Sequence, residues 1–172
     1  NNFSKSEALE TAFKMIETAK KARVDAIKFQ TFKANILSTK KAPKFWVDTM
    51  DEWENDVKPY GYQYDEYKLL DGLSARDYKM IKKKCDELDI VFFSTPFDVE
   101  TARYLNSLQP VFKIASGDNN YFPLIDSVAQ FMKPMLVSTG CANIELIDQI
   151  EKRIRGIWEN LDVDPGLAFL HC

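Results

Sequence analysis

Apolar residues recur along the chain at two periods, and the alternation between them predicts the fold. Ala8, Ala12, Met15, Ile16 and Ala19 are spaced four, three, one and three. That spacing predicts an amphipathic helix reaching about Ala22, opened by the capping-box pattern Ser4-Lys5-Ser6-Glu7. Asp25 to Gln30 then reads as a strand. Ser74-x-x-Asp77 opens a second long helix with Tyr78, Ile81, Cys85 and Leu88 on its apolar face. After it, Ile90 to Ser94, Val111 to Ala115, Pro134 to Val137 and Leu167 to His171 are short apolar strands. The helices between them are a short one capped by Asp98, one from Phe122 to about Phe131, and a long one capped by Asn143 with Ile144, Ile147, Ile150, Ile154 and Ile157 on one face. Residues 34–73 break this rhythm. They carry Trp46, Trp53, Tyr60, Tyr62, Tyr64 and Tyr67, and Pro43 and Pro59 break any continuous helix, which predicts a long loop with short helical pieces.

Short apolar strands separated by helices predict a parallel α/β sheet. Two architectures satisfy the pattern, an open doubly wound sheet and a closed eight-stranded (β/α)8 barrel. Neither G-x-G-x-x-G nor G-x-x-x-x-G-K-[ST] occurs in the chain, and the missing phosphate turn favours a barrel. Five strands make only part of one. The expectation is a single partial TIM-barrel domain over residues 1–172, with one strand before it and two after.

Composition narrows the class of protein without naming its chemistry. Of 172 residues, 45% are hydrophobic and 28% charged, and the formal net charge is -3, enough apolar material for a packed core and no basic footprint for nucleic acid. No apolar run approaches the roughly 18 residues of a membrane span, and the start lacks the pattern of a cleavable signal. The odd count of cysteines, Cys85, Cys141 and Cys172, reads as reduced thiols used as small apolar residues in a cytoplasmic setting.

Polar residues inside these strands carry the candidate chemistry. Lys28 and Gln30 share one parity of their strand while Ile27 and Phe29 take the other, and Lys113 interrupts Val111 to Ala115 in the same way. A lysine so placed either reaches solvent at a strand end, pairs with a buried carboxylate, or meets an anionic ligand. Two on separate strands of one barrel favour a shared anion. Hydroxyls recur where strands end, at Ser94-Thr95, Ser116-Gly117-Asp118 and Ser138-Thr139-Gly140, and strand carboxyl ends are where barrel active sites form. The expected ligand is a small phosphorylated anion, with Asp118 as the acid that contacts a hydroxylated co-substrate or takes a proton. His171 is the only histidine, and alone it makes no metal site.

Five blocks, Lys28-Phe29-Gln30-Thr31-Phe32, Phe93-Ser94-Thr95-Pro96-Phe97-Asp98, Phe112-Lys113-Ile114-Ala115-Ser116-Gly117-Asp118, Ser138-Thr139-Gly140 and Leu170-His171-Cys172, together resemble the N-acetylneuraminate (sialic acid) synthase family. The resemblance implies a (β/α)8 barrel that condenses phosphoenolpyruvate with an N-acetylated hexosamine such as N-acetylmannosamine, giving a nine-carbon 2-keto acid and phosphate. It places Lys28, Gln30, Thr95, Lys113, Ser116 and Ser138 around phosphoenolpyruvate and sets Asp118 toward the sugar. It further implies Mn2+ or Mg2+ held by residues outside this chain, a C-terminal antifreeze-like domain absent from residues 1–172, and a homodimer for the full-length protein. On that basis the isolated chain is expected to be an inactive or weakly folding fragment. Two other readings stand beside it: a barrel aldolase forming a Schiff base at Lys28 or Lys113, and a non-catalytic phosphate-binding remnant.

Overall fold

The computed structural model describes residues 5–44 and 61–172. The chain opens with α1 (Lys5–Lys21), β1 (Ala26–Thr31) and the short α2 (Ala34–Leu37). Next come α3 (Gln63–Leu70), α4 (Ala75–Glu87), β2 (Val91–Pro96) and α5 (Val99–Leu105). The remainder is β3 (Phe112–Ile114), α6 (Phe122–Ala129), β4 (Met135–Ser138), α7 (Ile144–Asn160) and β5 (Leu167–Leu170). Ser4 of the expected first capping box, and Trp46, Trp53, Pro59 and Tyr60, lie outside the described residues. Within the irregular segment, an antiparallel bridge joins Pro43 to Tyr62, and Lys44 pairs with Glu66 at 2.7 Å.

Every strand pairing is parallel, and neighbours in space are neighbours in sequence. β1 pairs with β2, and β4 lies between β3 and β5, while β2 sits beside β3. A doubly wound sheet would reverse its strand order near its first strand. Here the order advances without reversal, with helices on one side, as in the wall of a barrel. The α/β expectation and the partial-barrel expectation agree with this arrangement.

Between β2 and β3 a side chain does the work of a ladder. The amide of Gln109, 3% exposed, accepts from Ser94 N–H at 2.8 Å and donates to Ser94 C=O at 3.2 Å. That pair of bonds is what a neighbouring strand would otherwise offer. Lys133 Nζ in turn donates to the carbonyls of Asn106 and Gln109, the latter at 2.8 Å, and burial holds its pKa below the ordinary lysine value.

Two apolar clusters pack the helices onto the strands. One joins α1 and α4 to β1 and β2 through Ala12, Ile16, Tyr78, Ile81, Cys85, Ile90 and Phe92. The other joins α5, α6 and α7 to β3 and β4 around Phe112, Ile114, Leu124, Met135, Ile150 and Ile154. The expected stripe of α1 needs one correction: Met15 is 54% exposed, while Leu9 and Phe13 pack on the cluster. On α7, Ile144 is 67% exposed and Trp158 is buried instead, its indole N–H donating to Ala129 C=O at 3.0 Å. Ile144 is the first residue of its helix. Cys85 is buried, which pushes its thiol up to about 11, but Cys141 and Cys172 are exposed, so only one of the three acts as a core residue.

The expected caps form where they were read. Ser74 and Asp77 make a reciprocal capping box, Asp98 accepts from Thr101 N–H at 2.7 Å, and Asn143 accepts from Leu146 N–H at 2.9 Å.

Candidate active site

Strand parity decides which side chains face away from the helices. Phe112, Ile114, Met135 and Val137 belong to the core cluster, so Lys113, Leu136 and Ser138 project from the opposite face. In β1, Ile27 and Phe29 pack toward the helices, which puts Lys28 and Gln30 on the face of Lys113. Register then aligns Lys28 with Phe93 and Gln30 with Thr95 on β2. All of the strand residues expected in the site therefore share one face, with Gln30, Thr95 and Ser138 at the carboxyl ends of their strands.

Their burial is uneven. Lys113 is 8% exposed and Thr95 2%, whereas Lys28 and Gln30 are exposed. The expectation of two buried ammonium groups holds for Lys113 only, because the strands described here leave this face open beside β1. The two lysines nevertheless share a field. Burial lowers the Lys113 pKa first, and the positive charge of Lys28 lowers it further, as two like charges facing one space must. Lys113 Nζ donates to Ile114 C=O at 2.5 Å. Tyr78 holds the end of β1 by donating its hydroxyl to Gln30 C=O at 2.8 Å.

The exits of β3, β4 and β5 converge. Ser116, Gly117 and Asp118 form a 3-10 turn directly after β3. Gly140, after β4, lies so near Ser116 that a Cβ there would stand 2.9 Å from Ser116 Cβ and 3.3 Å from its Oγ, with Cys172 Cβ at 3.3 Å. Buried Asn119 joins these turns, its amide donating to Gly140 C=O at 3.0 Å and to Ser138 C=O at 3.4 Å. Around Cys172 Sγ, the Ser138 hydroxyl, the backbone N–H groups of Gly140 and Thr139 and the charge of Lys113 all hold the thiol below its usual range. Thr139 N–H also donates to Leu170 C=O at 3.0 Å, which ties the exit of β4 to that of β5. Asn119 and Gly140 were not singled out from the sequence as site residues, since an Asn and a Gly in turns are ordinary.

Two expected features resolve differently from one another. Asp118 follows Ser116 and Gly117 in the turn, with its Oδ2 buried and lacking a hydrogen-bond partner among the described residues, and burial raises its pKa above the ordinary carboxylate value. Ser94, by contrast, points to the helix side, where its hydroxyl meets Thr31 Oγ1 at 2.7 Å. It is therefore a structural hydroxyl and Thr95 is the one that shares the face with Gln30. His171 is exposed. No three His, Cys, Asp or Glu side chains group as a metal site among the described residues, so the divalent ion implied by resemblance is not assigned to them. Also among these residues, no helix is long and apolar enough to cross a membrane.

Comparison with known proteins places this geometry in a lineage. The chain is 34% identical over 168 residues to the N,N'-diacetyllegionaminic acid synthase of Campylobacter jejuni, covering 95% of this chain and 47% of that protein. It is 32% identical to the N-acetylneuraminate-9-phosphate synthase of Drosophila melanogaster, covering 95% and 41%. The chain thus spans less than half the length of these relatives. The solved structure of the spore coat polysaccharide biosynthesis protein SpsE from Bacillus subtilis superposes with a TM-score of 0.68 at 28% identity, covering 95% of this chain and 40% of that one. The sialic acid synthetase of Leptospira borgpetersenii, in complex with citrate, shares the fold with a TM-score of 0.68 at 23% identity, covering 95% and 49%. Residues 15–172 match the model of the NeuB family, and with its strand order and its converging strand exits the chain belongs to the NeuB family.

Proposed function

We propose that these residues form the phosphoenolpyruvate half of a sialic-acid-type synthase, which joins phosphoenolpyruvate to an N-acetylated hexosamine and releases phosphate. The observation that carries this reading is the pair Lys28 and Lys113 on one face, close enough that the charge of one depresses the pKa of the other. Two ammonium groups that face one space are matched by a ligand carrying two separate anionic groups. Phosphoenolpyruvate has a phosphate and a carboxylate. Relatives named as legionaminic, pseudaminic and N-acetylneuraminate-9-phosphate synthases support the reaction class.

Each residue has a defined task in that reaction. Lys28 and Lys113 neutralise the phosphate and carboxylate, while Thr95, Ser116 and Ser138 donate hydroxyl hydrogen bonds and Gln30 an amide hydrogen bond to their oxygens. Held in this way, C3 of the enol is aimed at the aldehyde carbon of the open-chain sugar. The new carbon–carbon bond forms, water adds at C2, and the C2–oxygen bond to phosphate breaks. Asp118, whose pKa burial raises above the ordinary carboxylate value, gives a proton to the aldehyde oxygen as it becomes a hydroxyl, and recovers one from the attacking water.

A phosphate-release assay tests the proposal, using the full natural chain with phosphoenolpyruvate, Mn2+ and a panel of N-acetylated hexosamines. Sugar-dependent phosphate release is the expected result. The lowered pKa of Lys113 also suits a Schiff-base aldolase. Borohydride trapping of pyruvate on Lys113, without consumption of phosphoenolpyruvate, would replace the synthase reading with that one.

A further inference from the structure

We infer that Gln109 is a positioning residue that sets the width of the anion site. This rests on the reading above, in which Lys28, Gln30 and Thr95 on one side and Lys113, Ser116 and Ser138 on the other hold one phosphoenolpyruvate. The first group stands on the β1–β2 ladder, and the second on the β3–β4–β5 ladder or in the turn after β3. The ligand therefore spans the seam where β2 meets β3. At that seam the Gln109 amide binds both the N–H and the C=O of Ser94, the residue immediately before Thr95. Ser94 is also tied to β1 through Thr31, and Gln109 to the start of β4 through Lys133. One buried amide thus links the two ladders that carry the two lysines. A shift of this seam moves Lys28 and Thr95 relative to Lys113 without touching any group that contacts the ligand.

The chemistry of the clamp gives it a signature that packing lacks. Only a group that accepts from Ser94 N–H and donates to Ser94 C=O satisfies both. Leucine keeps most of the volume and does neither. A carboxylate accepts but repels the carbonyl, whereas a protonated carboxyl group does both and restores the fork on acidification.

The test is steady-state kinetics of Q109L and Q109E in the full natural chain, with hydrogen exchange read at the Ser94 amide. Q109L is expected to raise KM for phosphoenolpyruvate roughly tenfold or more with kcat changed by less than about threefold, and to speed exchange at Ser94. Q109E is expected to show a raised KM near neutrality that falls toward the wild-type value as pH drops, a trend absent from the wild type. Unchanged KM in a folded Q109L, or a Q109E profile parallel to the wild type, overturns the proposal. Should Q109L not fold, the Q109E profile decides. Should the wild type consume no phosphoenolpyruvate, the synthase reading fails by itself. The clamp is then judged by exchange at Ser94 in Q109E, where faster exchange near neutrality that slows on acidification supports it and unchanged exchange overturns it.

Discussion

Gly140 lies against Ser116 closely enough to exclude any side chain: a Cβ would stand 2.9 Å from Ser116 Cβ and 3.3 Å from Cys172 Cβ. Ser116 cannot give way freely because it sits in a 3-10 turn, and Asn119 holds Gly140 in place through its carbonyl. The close approach is what brings the ends of three strands around one point. G140A is therefore expected to destabilise the fold by about 1–3 kcal/mol. It should also lower kcat/KM for phosphoenolpyruvate by roughly tenfold or more, since Ser116 must move. Urea denaturation together with the phosphate-release assay checks both, and a variant as stable and active as the wild type would show that the loops are free to separate.

Lys113 carries a pH-dependent cost to stability. Its pKa is lowered in the folded chain by burial and by the Lys28 charge, so the unfolded chain holds its proton more tightly. Between the folded and unfolded values the unfolded state binds more protons, and the contribution of Lys113 to stability rises with pH through that window. At neutral pH the charged group costs stability. K113M should accordingly melt higher than the wild type near pH 7, with the advantage shrinking as pH approaches the ordinary lysine value of 10.5. Its phosphate release should fall on the order of a hundredfold or more. Thermal melts across this range, paired with activity, separate the two effects.

What the sequence disclosed depended on how local each cause is. Caps at Ser74, Asp98 and Asn143 were legible because a side chain and the N–H it accepts from are three residues apart. Strand parity was legible too, and it placed Lys28, Gln30 and Lys113 on one face. The exposure of Lys28 was not, because it depends on what covers the strand from across the barrel. Likewise, Ser94 and Thr95 looked equivalent as hydroxyls at a strand end, and only parity against Phe92 in the core sends Ser94 to the helix side. Gln109 and Asn119 act across 15 and up to 21 residues of chain, a range at which no spacing rule operates. Trp158 was missed for a simpler reason: the isoleucine series drew the stripe of α7 through Ile144, where the helix has only begun.

Helix α5 offers a test of a local cause. Asp98 accepts from the backbone N–H of Thr101 and from its hydroxyl, at 2.7 and 2.5 Å, and is only 8% exposed. D98A leaves both donors unmet and should cost about 1–2 kcal/mol, measured by urea denaturation. D98S, which keeps an acceptor, should recover part of that loss. Equal stability of the alanine variant and the wild type would mean that the carboxylate cap contributes little to this helix.

Asp118 is expected to show the opposite pH slope to Lys113, in a more acidic range. Burial raises its folded pKa above the ordinary 3.8, and its Oδ2 is buried without a partner among the described residues. Below 3.8 the carboxyl is neutral in both states and its contribution is fully present. As pH rises through the folded value, the unfolded chain has already released the proton that the folded chain retains, so that contribution is lost. D118N stays neutral throughout. The stability of D118N relative to the wild type should therefore grow from about pH 4 to about pH 7, the comparison cancelling every other carboxylate. Phosphate release by D118N should nonetheless fall on the order of a hundredfold, since an amide cannot pass a proton to the aldehyde oxygen. Denaturation curves at the two pH values give the slope, and assays on the same samples give the activity. A variant that gains no stability toward neutrality would mean the folded state already compensates the carboxylate, and retained activity would remove Asp118 from the proton path.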